Sequence, residues 1–198
     1  MKVLVIATSL RENSNSDMLA KAFMRGAEDA GHETIYISLK GKNIGYCDGC
    51  LSCQKTGICT IKDDMTEILE HIRTADVIAF STPIYYYEMC GQMKTLLDRA
   101  NPLYGTECNF RRVYMLSTAA EYVDSVPDRA IAGLCGWIEC FPKAKFAGSV
   151  FKGGVNEPGV FRLQRPPDPD LHRLPPGNIP EVSVFHHRLP GGGVRLKL

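Results

Sequence analysis

Residues 2–39, KVLVIATSLRENSNSDMLAKAFMRGAEDAGHETIYISL, decide the fold. Residues 2–7 are a short apolar run rich in β-branched side chains, the mark of a buried strand. Residues 8–16 form a polar loop without glycine. From Asp17 to Ala30 the apolar residues Met18, Leu19, Ala22, Phe23 and Ala27 recur at helical spacing, and Gly31 stops the helix. Residues 34–39 (TIYISL) are a second strand. A strand, a crossover helix and a strand make one βαβ unit, whose two strands run parallel.

The alternation continues along the chain. A helix is predicted to begin at Asp63-Asp64, where Asp64 and Glu67 have capping-box spacing, and to run through Ile68, Leu69 and Ile72. Strands are predicted at 77–81, 113–117 and 146–151, and helices at 91–99 and 128–140. Five strands with four crossovers give an α/β fold, a doubly wound five-stranded parallel sheet of order 2-1-3-4-5. From about residue 160 the pattern stops: the last stretch holds seven of the twelve prolines and three of the five histidines. We expect a domain over 1–159 and an irregular Pro-rich C-terminal tail over 160–198, with His172, His186 and His187 solvated.

Composition narrows the function. The chain has 198 residues, 44% of them hydrophobic, and a formal net charge of +1, which gives no electrostatic case for nucleic acid. No run approaches the roughly 18 apolar residues of a membrane span. The N-terminus shows no basic region or small-residue cleavage site, and eight cysteines fall well below the roughly 8 to 10% of a disulfide scaffold. The expected location is cytoplasmic and reducing, with small molecules and other proteins as partners.

Four cysteines lie within thirteen residues: Cys47, Cys50, Cys53 and Cys59. C-x2-C-x2-C with a fourth cysteine nearby is a spacing that holds an iron-sulfur cubane. A zinc ribbon would separate its two pairs by about 12 to 20 residues. The compact spacing favours iron and sulfide; zinc, a redox-active thiol pair and small side chains without metal are the other readings. Cys90, Cys108, Cys135 and Cys140 have no ligand spacing and read as core or helix residues.

In a doubly wound sheet, ligands bind beyond the carboxyl ends of the strands. The loop after the first strand, Thr8 to Ser16, offers hydroxyls, amides and one arginine ahead of a helix N-terminus, which suits a terminal phosphate. Its lack of glycine excludes the dinucleotide fingerprint. The plainer reading is a helix cap. After the third strand comes Thr82-Pro83-Ile84-Tyr85-Tyr86-Tyr87, whose tyrosines can stack on a flat heterocycle; three adjacent tyrosines cannot all face one core. After the fourth, Ser117-Thr118-Ala119-Ala120 offers small residues for a ring to lie against. The three loops together describe a planar cofactor with a phosphate tail.

At these loops and the cysteine segment, over about residues 1–159, the chain resembles the NADPH-dependent FMN reductase-like family of the flavodoxin-like superfamily, and within it the iron-sulfur flavoproteins. The resemblance is carried by Ser9, Arg11, Asn15 and Ser16, by the stretch from Cys47 to Lys62-Asp63-Asp64-Met65, by Thr82 to Tyr85 running into Gly91-Gln92-Met93-Lys94, and by Ser117 to Ala120. It implies that Ser9, Arg11, Asn15 and Ser16 bind the FMN phosphate. It implies that Pro83, Ile84, Tyr85 and Tyr86 line the isoalloxazine and that Thr118, Ala119 and Ala120 close its far side. It further implies nicotinamide stacking from NAD(P)H, a [4Fe-4S] cluster on Cys47, Cys50, Cys53 and Cys59, and a homo-oligomer, dimer or tetramer. The chain departs where relatives place a last helix after a segment like Gly153 to Gly159. We expect the tail to come from a reading-frame change or rebuilt terminus and to leave apolar sheet surface for a neighbour, or the tail itself, to cover.

The expected function is an FMN-dependent NAD(P)H oxidoreductase passing electrons to a small acceptor or a redox protein, with no side chain singled out as catalytic. An electron carrier without a nicotinamide site is the second reading. A non-catalytic zinc-binding or thiol redox-sensing protein is the third.

Overall fold

The computed structural model describes residues 1–161; the tail expected from residue 160 lies outside the described residues beyond Phe161. The elements run β1 (Lys2–Ala7), α1 (Asn15–Asp29), β2 (Glu33–Ser38), α2 (Ser52–Thr56), α3 (Met65–Thr74), β3 (Val77–Tyr85), β4 (Glu88–Met89), α4 (Gly91–Arg99), β5 (Arg112–Thr118), α5 (Asp128–Ile138) and β6 (Lys145–Lys152). The sheet order is β2-β1-β3-β5-β6, all neighbours parallel, with β4 added antiparallel to the end of β3. Setting that short strand aside, the five parallel strands stand in the expected order 2-1-3-4-5.

Strand alternation splits the core into two layers. Leu4, Ile6, Ile78, Phe80, Val113 and Met115 face α3, α4 and α5, where they meet Ile68, Ile72, Met93, Leu96 and Leu134. Val3, Val5, Ala7, Ala79 and Leu116 face the other way, onto Leu19 and Ala20 of α1. Helices on both faces explain why the strands read as continuous apolar runs. The second layer is the thinner one: Tyr36 and Tyr114 are only partly buried there, and Phe161 packs into it.

Three local expectations change. Strand β3 continues past Ser81 to Tyr85, because Thr82 and Pro83 pair with Ser117 and Thr118 of β5 after β1 has ended at the Ala7–Ser81 pair. With a neighbour on one side only, Pro83's missing N–H is tolerated. The Asp64–Glu67 capping box does not form: Asp64 makes no cap bond and instead accepts from the Asn43 N–H at 2.6 Å, while Asp63 accepts from the Met65 N–H at 3.1 Å. Helix α1 begins at Asn15, two residues before the expected Asp17, because Ser14 caps it by accepting from the Asp17 N–H at 3.3 Å.

Candidate functional site

The carboxyl ends of β1, β3, β5 and β6 surround a cleft. Ser9, Arg11 and Asn15 reach it from the first loop, Pro83, Ile84 and Tyr85 from the end of β3, and Thr118, Ala119 and Ala120 from the end of β5. Of the residues singled out in the sequence, Ser16 and Tyr86 are not in its lining. Ser16 is buried: its hydroxyl lies 2.8 Å from that of Ser14, and its carbonyl accepts from the Ser81 hydroxyl at 2.6 Å. Tyr86 points into solvent at 98% exposure. Tyr85 and Tyr87 are each about half exposed.

A fourth wall was not anticipated. After β6 the chain crosses the cleft, contributing Val155, Asn156 and Pro158. It is held to the third loop by the Gly154 N–H on the Glu121 carbonyl (3.1 Å) and the Val155 N–H on the Ala119 carbonyl (2.9 Å). A Cβ at Gly153 would collide with the Glu121 backbone and one at Gly154 with the Tyr122 ring, so this approach requires both glycines. On the first-loop side the Arg11 guanidinium donates to the Asn156 carbonyl at 2.8 Å. The Asn15 amide donates to the Val155 and Glu157 carbonyls at 3.2 and 2.8 Å, and its oxygen accepts from the Phe161 N–H at 3.0 Å. The Asn15 side chain is therefore committed to holding this strap. The Gly153 to Pro158 stretch was the one available signal, since paired glycines after a last strand mark close backbone approach.

Between β3 and β4 the chain turns on Tyr86 and Tyr87, both with positive φ (51° and 66°), which close the hairpin beyond the Tyr85–Glu88 pair. This is the backbone of a type I′ hairpin, usually given to Asn-Gly. Two tyrosines in left-handed backbone are strained, and such strain concentrates at functional sites. The Arg129 guanidinium lies 6.0 Å from the Tyr87 ring.

Cys47, Cys50, Cys53 and Cys59 line a second, smaller pocket against the end of α4, with Arg99 and Asn101. Left-handed backbone at Gly49, Leu51 and Gly57 folds the loop so tightly that α2 has only five residues. Arg99 fastens it. Its guanidinium meets Asp63 in a two-pronged pair of 2.7 and 2.9 Å and donates to the carbonyls of Gly45 (2.8 Å) and Ile61 (3.4 Å), at the two ends of the loop. Both side chains are nearly inaccessible, at 1% and 4% exposure. The Arg99 hydrogen bonds hold the Asp63 carboxyl below its usual range against the opposing effect of burial. Asp63 in turn raises the already high Arg99 value.

Within the pocket the thiols differ. Cys53 is buried, which pushes its thiol up, partly offset by the Asn101 amide donating to its sulfur at 3.3 Å. Cys47 and Cys50 are exposed and Cys59 is intermediate. Among the described residues no three His, Cys, Asp or Glu side chains converge as an ion's ligand shell, so the thiols share a pocket without closing on a point. Of the other cysteines, Cys90 is a core residue at the start of α4, Cys108 and Cys135 are partly buried against the core, and Cys140 is exposed beyond the end of α5, neither core nor helix.

A family model described as NADPH-dependent FMN reductase matches residues 1–124. The chain belongs to the NADPH-dependent FMN reductase family. Among its relatives are an iron-sulfur flavoprotein of Methanocaldococcus jannaschii, 38% identical over 103 residues that make up 52% of this chain and 53% of that protein. Another is an iron-sulfur flavoprotein of Archaeoglobus fulgidus, 34% identical over 102 residues, 52% and 46% of the two chains. The chain spans about half the length of these curated relatives. In fold it is similar to the NAD(P)H:quinone oxidoreductase from Methanothermobacter marburgensis, with a TM-score of 0.62 at 20% identity, over 80% of this chain and 87% of that one.

For a member of the FMN reductase family, the cleft suits the cofactor at both ends. At one end are the Ser9 hydroxyl, the Arg11 cation and the first-turn N–H group of Asn15, which has no intrahelical acceptor. At the other, Pro83, Tyr85 and Ala120 offer flat and small surfaces. The buried Ser117 hydroxyl, next to Thr118, lacks a hydrogen-bond partner among the described residues. The cysteine pocket fits a cluster in the kind of donor it collects, four thiols. Among the described residues no helix is long and apolar enough to cross a membrane.

Proposed function

We propose that the protein is an FMN-dependent NAD(P)H oxidoreductase that passes electrons to a small acceptor or a redox protein, acting in a reducing compartment as a homo-oligomer. The observation that carries the reading is the cleft. Loops far apart in sequence, each chosen for a different part of a phosphate-tailed flat cofactor, meet at one opening on the carboxyl side of the sheet. When bound, FMN accepts hydride and returns electrons singly or in pairs.

The chain's own residues supply position and polarity. Ser9, Arg11 and the first turn of α1 would hold the phosphate, with Arg11 exchanging its bond to the Asn156 carbonyl for a charge-assisted one. Asn15 positions the strap. Pro83, Ile84 and Tyr85 would lie along the ring, with Thr118, Ala119 and Ala120 on its far side. The half-exposed Tyr85 leaves room for a second flat molecule such as nicotinamide. Cys47, Cys50, Cys53 and Cys59 would hold a [4Fe-4S] cluster, which would supply one-electron transfer. The names of the archaeal relatives support that part of the reading.

The test is an anaerobic absorption spectrum of the purified full chain, with FMN, iron and sulfide assayed on the same sample. The expected result is flavin bands over broad brown absorbance with about four irons per chain. Flavin without iron after anaerobic reconstitution would remove the cluster from the reading. Neither chromophore, together with failure to bind added FMN, would overturn it in favour of the thiol-sensor alternative.

A further inference from the structure

A third cavity, of about 340 Å³, opens between the two sites just described. Its floor is apolar, formed by buried Leu39 and partly buried Ile44. One wall is Leu10, which stands in the chain between Ser9 and Arg11 of the cleft; another is Tyr46, which immediately precedes Cys47 of the cysteine pocket. Tyr46 is 83% exposed and Leu10 about half exposed, so both present apolar surface at the rim of this concavity.

The polar part of the lining is rich in donors. Helix α4 starts here, and the residue before it, Cys90, makes no side-chain cap bond, so the N–H groups of Gly91 and Gln92 face outward without an intrahelical acceptor. The Gln92 amide and the Lys42 ammonium stand beside them. Lys42 is held only loosely, 3.5 Å from Asp64 and 3.9 Å from Glu67, on the surface. The Thr95 hydroxyl already donates, to the Gly91 carbonyl at 2.9 Å. Apolar floor, aromatic wall and excess donors specify a ligand with a flat apolar face and acceptor oxygen at one edge.

We propose that this cavity is a binding site for a planar aromatic carboxylate. Its ring lies on Leu39 and Ile44 against Tyr46, and its carboxylate faces Lys42 and the start of α4. That such a molecule serves as the acceptor rests on the oxidoreductase reading; that the cavity binds it does not.

The probe is 2-naphthoate, titrated by calorimetry into the full chain with and without saturating FMN. Its neutral counterpart 2-naphthalenemethanol is titrated alongside. Saturable binding is expected in both states, with the alcohol weaker by about tenfold. Tyr46→Ala is expected to weaken naphthoate about tenfold, Tyr46→Phe to retain it, and both to bind FMN like the parent chain. Lys42→Met is expected to weaken naphthoate and leave the alcohol unchanged. No saturable binding up to about 5 mM would overturn the proposal. So would binding that FMN displaces and Tyr46→Ala does not affect, since the ring would then occupy the cleft. A chain that binds naphthoate through Tyr46 but never binds FMN would sink the oxidoreductase reading and leave this site standing. The reverse pattern would do the opposite.

Discussion

Arg99 and Asp63 show how much one pair of residues decides. Burying two charges is costly, and it is offset here because the carboxylate takes both prongs of the guanidinium and two further donors find the loop carbonyls, while the buried Nε–H has no partner among the described residues. Asp63→Asn would strand the Arg99 charge, and a loss of about 3–5 kcal/mol in urea unfolding at neutral pH is expected. The pH dependence follows from the direction of the shift. The Asp63 carboxyl is lower in the folded chain than its ordinary value, so the pair's contribution is complete above about pH 4 and is lost as pH falls through the lower folded value. The parent chain should therefore lose more stability than Asp63→Asn between neutral and strongly acid pH. Equal losses would show that the pair carries no such linkage. Arg11 is the contrasting case, an exposed cation whose bond to Asn156 adds little stability. Arg11→Met should leave the unfolding midpoint nearly unchanged and weaken FMN binding about ten- to hundredfold, as lost charge-assisted bonds to a phosphate require. Fluorescence titration of FMN measures it.

At the scale of elements, the β3–β4 hairpin carries the clearest strain. Its Tyr86-Tyr87 turn has the backbone of Asn-Gly, and each tyrosine held left-handed costs about 1–2 kcal/mol. Replacing the pair with Asn-Gly is expected to raise stability by about 1–3 kcal/mol in urea unfolding. A variant that gains no stability would contradict the strain. The elements also show what a sequence can disclose. The βαβ unit at the N-terminus was legible because a strand buried on both faces and a one-sided helix differ plainly in period. The capping box at Asp64 misled because spacing does not reveal a competing partner: the Asn43 N–H reaches that carboxylate first. The extension of β3 was hidden behind Pro83, which reads as a strand end until the neighbouring strand is known to stop at Ala7. Asn15 was legible as a residue of the cleft, but its task was not. The strap it holds lies some 140 residues on in the chain, beyond any local pattern.

For the molecule as a whole, the carboxyl side of the sheet gathers everything chemical. The cleft lies over the ends of β1, β3, β5 and β6, and the cysteine pocket lies on the long loop after β2. The order 2-1-3 followed by strands added on the other side of β1 places the reversal of chain direction at β1 and β3, which is where the first two cleft loops leave the sheet. The sequence could disclose that arrangement because it follows from counting strands; it could not disclose the cavity beside Tyr46, which depends on how a long loop folds back. The central claim is that the cleft binds FMN so that a nicotinamide can reduce it. The most direct measurement is an anaerobic titration of the FMN-loaded full chain with NADPH and with NADH, followed at the flavin absorbance band. The expected result is bleaching at about one nicotinamide per bound flavin, lost in parallel with FMN binding in Arg11→Met. Bound flavin that neither nucleotide bleaches, although dithionite does, would contradict the account and leave an electron carrier in its place.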